Sequence, residues 1–148
     1  MTDNMTVAQR AITMSRIRSR DTRPELTMRR LLHARGLRYR KHERTLPGHP
    51  DLVFSGPRVA VFIDGDFWHG WKFSLWKEKL GPYWQQKIAG NMQRDARNFR
   101  RLRQDGWTVI RLWEHDIERN PSECADRVER AVRSHSWIRC VDGLCVER

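Results

Sequence analysis

The chain has 148 residues, enough for one domain with a real core, and two domains would be cramped. Its 29 lysines and arginines against 18 acids give a formal charge of +11, which favours a polyanionic partner without separating nucleic acid from an anionic membrane or a solvated basic protein. There is no apolar stretch of spanning length and no charged-then-apolar leader, so the expectation is a cytoplasmic chain with no membrane attachment. Three cysteines, Cys124, Cys140 and Cys145, match neither a disulfide framework nor a zinc spacing.

Taken in order, residues 1–20 form a basic arm or short helix, with Ile12, Met14 and Ile17 at uneven spacing, and residues 21–148 form the domain proper. Thr22-Arg23-Pro24-Glu25 has the pattern of a helix start, with Thr22 as cap, Pro24 in the first turn and Glu25 completing a capping box. That helix carries Met28, Leu31 and Leu32 and stops at Gly36. Leu37 to Lys41 alternates apolar and basic, as a half-exposed strand does, and Leu46-Pro47-Gly48-His49-Pro50 is a turn. Asp51 to Phe54 and Arg58 to Asp64 then predict a hairpin, its second strand buried. Residues 70–83 are irregular. A helix follows with Trp84, Ile88, Met92, Phe99 and Leu102 at helical spacing, ended by Asp105-Gly106. Trp107 to Trp113 predicts a strand, and Pro121 to Ser134 an amphipathic helix. Helices around a small mixed sheet make an α/β fold.

Asp51 opens the first hairpin strand and Asp64 ends the second, so pairing brings both carboxylates to one end of the sheet. Such a pair suits Mg2+, which takes one or two carboxylates together with waters and phosphate oxygens. Equally, strand ends put aspartates in solvent, and spacing alone does not choose between the two. Glu25 has the same two readings, helper at the site or partner of Thr22. His69, between two aromatics and Gly70, has the residue type of a general base for water, a role worth about 10²- to 10⁴-fold. An acid pair, a base and flanking arginines are what phosphodiester hydrolysis requires. Phe67 and Trp68, bracketed by Gly65 and Gly70, read as side chains projected from a loop, of the kind that unstack bases.

The segments that carry Met14 to Glu25, Leu31 to Arg40, Leu46 to Phe54 and Phe67-Trp68-His69-Gly70 resemble the very short patch repair (Vsr) endonucleases. The likeness continues through Tyr83-Trp84, Asn91, Arg94-Asp95 and Gly106-Trp107 to Leu112-Trp113-Glu114. It implies a restriction-endonuclease-like fold of the PD-(D/E)xK type, a mixed β-sheet flanked by helices. It also implies Mg2+-dependent, strand-specific nicking of double-stranded DNA beside a T:G mismatch left by deamination of 5-methylcytosine. By the same resemblance Asp51 binds metal, His69 is the general base, Glu25 is an acidic helper, and Ile63 offers a backbone carbonyl to one of up to two ions. Asp64 stands where the best-known members have a histidine and adds a carboxylate to the metal site. Phe67, Trp68 and Trp84 match the aromatics that enter the stack, and Met14 falls in an N-terminal element that closes on the DNA. Arg16, Arg18, Arg20, Arg94 and Arg97 are the backbone-binding candidates.

Many members hold a structural zinc in and after the aromatic loop. Here Asp66 replaces its first cysteine and His115 its late one, so no structural zinc is expected. The implied partners are a cytosine-5 methyltransferase and repair proteins, with the enzyme itself a monomer. The rival reading is a basic module without catalysis that recognises lesions or modified duplex through Phe67, Trp68 and Trp84. Asp51, Asp64 and His69 favour the enzyme.

Overall fold

The computed structural model describes residues 5–17, 19–135, 140–141 and 144–145, the last four in their backbone alone. Helix α1 (Val7–Arg16) is followed by α2 (Arg23–Ala34), then strands β1 (Arg40–Lys41), β2 (Leu52–Phe54) and β3 (Val59–Asp64). A short helix α3 (Phe73–Trp76) and a single 3₁₀ turn lead into the long α4 (Pro82–Gln104). Strand β4 (Thr108–Trp113), helices α5 (Glu114–Arg119) and α6 (Pro121–His135), and a pair of two-residue strands, β5 (Cys140–Val141) and β6 (Leu144–Cys145), complete the chain.

The main sheet has the order β1-β2-β3-β4. β1, β2 and β3 are antiparallel neighbours, whereas β3 and β4 run parallel, Val59 opposite Thr108 and Asp64 opposite Trp113. The parallel pair requires a crossover, and α4 supplies it. Every residue of β3 is buried, as a central strand covered on both faces must be. Alternation divides those residues between two cores. Val59, Val61 and Ile63 join Met28 and Leu32 of α2 and Val128 and Val132 of α6 on one face. Ala60 and Phe62 meet Phe99 and Leu102 of α4 on the other. Asp64 continues the second set, so its side chain is delivered to the α4 face. Asp51 precedes Leu52, which pairs with Val61, so continuing the register sets Asp51 opposite Phe62 on that same face. The sequence pattern therefore brings both acids to one side of one sheet end.

Several boundaries differ from the sequence expectations. Of the two forms expected for the N-terminal segment, the helix is the one found: α1 opens with a Thr6/Gln9 capping box. Thr22 precedes α2 without capping it through its side chain. Its hydroxyl donates to Glu25 Oε1 at 3.1 Å, while Glu25 Oε2 accepts the Asp21 N–H at 3.0 Å. Glu25 is recruited away from the capping role by Arg29, whose Nη2 lies 2.9 Å away. Of the strand expected over residues 37–41, Arg40–Lys41 alone pairs, because Leu37 is drawn into the core and its N–H turns back to Leu32. Gly90 leaves α4 unbroken, since it sits on the exposed side. Among the described residues no helix is long and apolar enough to cross a membrane.

Candidate active site

A cleft of about 970 Å3 opens at the end of the sheet where β2 begins and β3 finishes. Its walls include Met14 and Ile17 from α1 and its following residue, Glu25 of α2, Asp51, Ile63 and Asp64 of the sheet, and Trp68 and His69 of the loop after β3. Arg94, Asp95, Arg97 and Asn98 reach it from α4, and Glu114 from the start of α5. Residues distant in sequence converge because β3 ends inside the molecule and each neighbouring element ends near it.

Asp51 follows the turn Leu46 to Pro50, which needs Gly48 in the left-handed region at φ +77° and holds His49 there as well, at +52°. A Cβ on Gly48 would come within 3.1 Å of the Phe62 ring and 3.2 Å of Asn98, so close approach as well as φ requires glycine. Asp51 Oδ2 accepts the Ile63 N–H at 2.7 Å. The Ile63 carbonyl lies on the same side of the strand, and among the described residues Asp51 Oδ1 has no protein hydrogen bond. Burial, with the nearby Glu25 and Asp64 carboxylates, pushes the Asp51 carboxyl up to about 7, against the Ile63 hydrogen bond that lowers it. A half-buried carboxylate oxygen without a cationic partner, beside a backbone carbonyl, is the donor pair a hard divalent cation takes. The residues present fit magnesium.

Asp64 is engaged differently. Its Oδ2 accepts Arg111 Nε at 2.8 Å, and its Oδ1 lies 3.4 Å from His69 Nε2. His69 Nδ1 meets Asp95 Oδ2 at 2.6 Å, and Arg111 Nη2 reaches the same Asp95 oxygen at 3.0 Å. Arg111 is held in turn over the Trp113 ring, 4.1 Å from its centroid. Burial pushes the Asp64 carboxyl up, and the His69 and Arg111 charges offset part of that. For His69 burial acts downward, but the Asp95 hydrogen bond and the Asp64 and Asp95 charges outweigh it and raise the imidazole above its ordinary value. Asp64, His69 and Asp95 also present ligand atoms within 4.8 Å of one another.

Asp95 and Arg111 were given no role by the sequence. A signal existed for Asp95, which occupies a stripe position between Met92 and Phe99 where an apolar residue belongs and is 8% exposed. Arg111 sits on β4 in register with Phe62, and nothing in its local sequence distinguishes it. Glu114 lies within 3.5 Å of where a Gly65 Cβ would stand, closing the cleft on that side.

Glu25 is 2% exposed and held by Thr22, Asp21 and Arg29, with His42 Nε2 3.7 Å from its Oε2. Arg29 fills the centre of the Asp21, Glu25 and His42 group, leaving those carboxylates paired to a guanidinium.

The aromatics form a ridge beside the cleft. Phe67 packs edge-on to Trp68 at 5.0 Å and to Trp84 at 6.0 Å, and stacks on Trp76 at 5.6 Å with 18° between planes. Phe67 remains 39% exposed, an open hydrophobic crest. Helix α1 docks onto it through Arg10, whose guanidinium lies 4.1 Å over the Tyr83 ring. Asn91 Nδ2 donates to the Trp68 carbonyl at 3.0 Å, fixing the loop against α4. Arg16 and Arg20 are exposed, Arg94 and Arg97 line the cleft, and Arg18 lies outside the described residues.

Comparison with known proteins agrees with this arrangement. Residues 2–75 match the family model described as DNA mismatch endonuclease Vsr. The type II nicking enzyme V.NmeDIP of Neisseria meningitidis serogroup C is 40% identical over 139 residues, covering 92% of this chain and 94% of the relative. The chain belongs to the Vsr endonuclease family. The type II nicking enzyme V.HpaIIP of Haemophilus parainfluenzae is 36% identical over 143 residues, 94% of this chain and 99% of its own length. DNA mismatch endonuclease Vsr of Escherichia coli strain K12 is 37% identical over 149 residues, 99% of this chain and 94% of its own. The four-stranded mixed sheet between helices is the restriction-endonuclease-like fold of this DNA endonuclease family.

Proposed function

We propose that the protein is a magnesium-dependent DNA endonuclease that nicks one strand beside a T:G mismatch. The observation that carries the reading is the convergence of Asp51, Asp64, His69 and Asp95 in one cleft, flanked by an exposed aromatic ridge and arginines. Asp51 and the Ile63 carbonyl would hold Mg2+, with Asp64 available to a second ion if Arg111 releases it. Bound magnesium supplies positive charge to the phosphoryl and leaving oxygens as charge develops there.

The chain's own residues handle the proton. Neutral His69 accepts a proton from water at Nε2 while Asp95 holds Nδ1–H, which fixes the tautomer and stabilises the imidazolium that forms. The water oxygen bonds to phosphorus as the opposite P–O bond breaks. Asp64, beside Nε2, orients the ring and the water. Arg94 and Arg97 bind backbone phosphates at the cleft wall, with Arg16 at the end of α1 and Arg20 just after it as further contacts, and Arg18 a candidate from sequence alone.

The exposed Phe67 edge, backed by Trp68, Trp76 and Trp84, supports insertion at a weakened base step, where unstacking costs least. The mismatch and nicking activities named for the relatives support the same substrate. A T:G pair arising from 5-methylcytosine would couple the enzyme to a cytosine-5 methyltransferase and to repair proteins that complete the patch.

The test is cleavage of matched and T:G duplexes with magnesium. Asp51→Ala should abolish nicking and leave DNA affinity little changed. Nicking retained in that variant would overturn the assignment, and wild-type binding without cleavage of any duplex would favour a DNA-binding module.

A further inference from the structure

The loop that carries Phe67, Trp68 and His69 is anchored at both ends by side chains that no catalytic role uses. At its start Asp66 Oδ1 lies 2.7 Å from His115 Nδ1 on α5. At its end Trp71 packs against the same imidazole, with ring centroids 4.5 Å apart, and against Trp113 at 5.2 Å. The Trp71 N–H returns to the Asp66 carbonyl at 2.9 Å and closes the six residues into one unit. From Trp71 the connection continues outward. Its carbonyl accepts Trp76 Nε1–H at 2.7 Å, and Trp76 is the ring on which Phe67 stacks.

Many family members use zinc in this region, and the donors here do not fit it. A closed zinc site needs four convergent nitrogen or sulfur donors, with an occasional carboxylate. His115 has its two ring nitrogens turned to different carboxylates, Asp66 at Nδ1 and Asp116 at Nε2, 3.2 Å away. Those acids lie on opposite edges of the ring and do not converge. Trp71 and Phe73 supply no ligand atom, Cys124 is buried in the other face's core, and among the described residues no third ligand atom groups with Asp66 and His115.

We infer that His115, Asp66 and Trp71 form a metal-independent clasp that positions the aromatic wedge for DNA engagement. His115 and Trp71 are positioning residues: they touch neither the cleft nor the reacting atoms and act through the loop they hold. The inference rests on the reading of Phe67 as a wedge, so Phe67→Ala is the companion variant.

The experiment measures nicking of a T:G duplex for wild type, His115→Ala, His115→Asn and Phe67→Ala, with melting curves and zinc calorimetry on each. Phe67→Ala should raise KM with kcat largely kept. His115→Ala should do the same, raising KM about 10- to 100-fold by letting the loop drift. His115→Asn, which keeps a donor near the Nδ1 position, should recover most of that loss. Wild type should take up no stoichiometric zinc and should melt alike with or without a chelator. Stoichiometric zinc that is lost in His115→Ala would overturn the proposal. So would an unchanged KM in His115→Ala when Phe67→Ala raises it. If Phe67→Ala also leaves KM unchanged, the wedge reading falls, and the clasp's role in DNA engagement falls with it. A fall in kcat and melting temperature in both His115 variants would mark a purely structural contact and also overturn it.

Discussion

The imidazole Nδ1 of His69 lies 2.6 Å from Oδ2 of Asp95, one residue in the loop after β3 and the other inside α4. The contact fixes the proton on Nδ1 and leaves Nε2 facing the cleft, which is the tautomer a base needs. It also raises the affinity of His69 for a proton, so the neutral form gains population as pH climbs above the ordinary histidine range. Nicking under single-turnover conditions should therefore rise with pH through that region. Asp95→Asn should move the rising limb to lower pH and reduce the plateau about 10²-fold, while His69→Ala should lose about 10²- to 10⁴-fold. A limb that stays put in Asp95→Asn would disprove the coupling. The sign for stability is the reverse of that for activity: the raised histidine favours the fold below its unfolded pKa, and that contribution disappears as pH rises through the folded value.

Asp51 moves stability with pH in the same direction, but for a different reason. Its carboxyl is pushed from 3.8 to about 7 by burial and by its acidic neighbours, so the native state prefers the protonated form. That contribution is complete below the unfolded value, is lost as pH rises towards 7, and leaves an ionised Asp51 costing about 4 kcal/mol at pH 8 without metal. Asp51→Asn should melt higher than wild type at pH 8, similarly at pH 4, and have no nuclease activity. Added magnesium should raise the wild-type melting temperature at pH 8 and leave Asp51→Asn unmoved, because a ligand stabilises only the state that binds it. Equal pH dependence in the two proteins would locate the buried charge elsewhere.

Local pattern carried much of this architecture. The hairpin from Asp51 to Asp64, the long helix through Phe99 and Leu102, and the final amphipathic helix follow from period-2 and period-3.6 spacing. Alternation along β3 was enough to send Asp64 to the α4 face. What local pattern does not encode is pairing across elements. Glu25 matches a capping box until Arg29 and Asp21 claim its oxygens, and those contacts arise only when α2 packs. Arg111 reaches the site through register with β3 across a crossover of more than forty residues, so no window along the chain contains both partners. Asp95 could have been read, because a carboxylate in an apolar stripe has to be explained by a partner.

Gly70 gives a packing prediction. It sits at φ +74°, and a Cβ there would come within 2.4 Å of Met92 Sδ and 3.3 Å of Ile88. Met92 is flexible and 37% exposed, so part of the clash can be relieved by moving it. The backbone cost cannot, and is roughly 1–2 kcal/mol for a non-glycine residue in this region. Gly70→Ala should lower the melting temperature, and adding Met92→Ala should restore some but not all of the loss. Full restoration in the double variant would show that the left-handed backbone carries no cost here.

Arg94 and Arg97 stand on the wall of the cleft, on the turn of α4 that also presents Asp95. Arg94 Nη2 donates to Asn91 Oδ1 at 3.1 Å, an exposed contact it can exchange for a phosphate. Each phosphate neutralised releases condensed counterions, so the plot of log affinity against log salt should flatten by about 0.9 for each arginine changed to glutamine in duplex DNA. The same variants should weaken matched and mismatched duplexes alike, since a phosphate contact carries no base identity. Phe67→Ala should do the reverse, leaving the salt slope unchanged and reducing the preference for the mismatched duplex. Titrations of both duplexes at several salt concentrations separate the two effects. An unchanged slope in the arginine variants, or a loss confined to the mismatched duplex, would move those side chains from the phosphate backbone to the lesion itself.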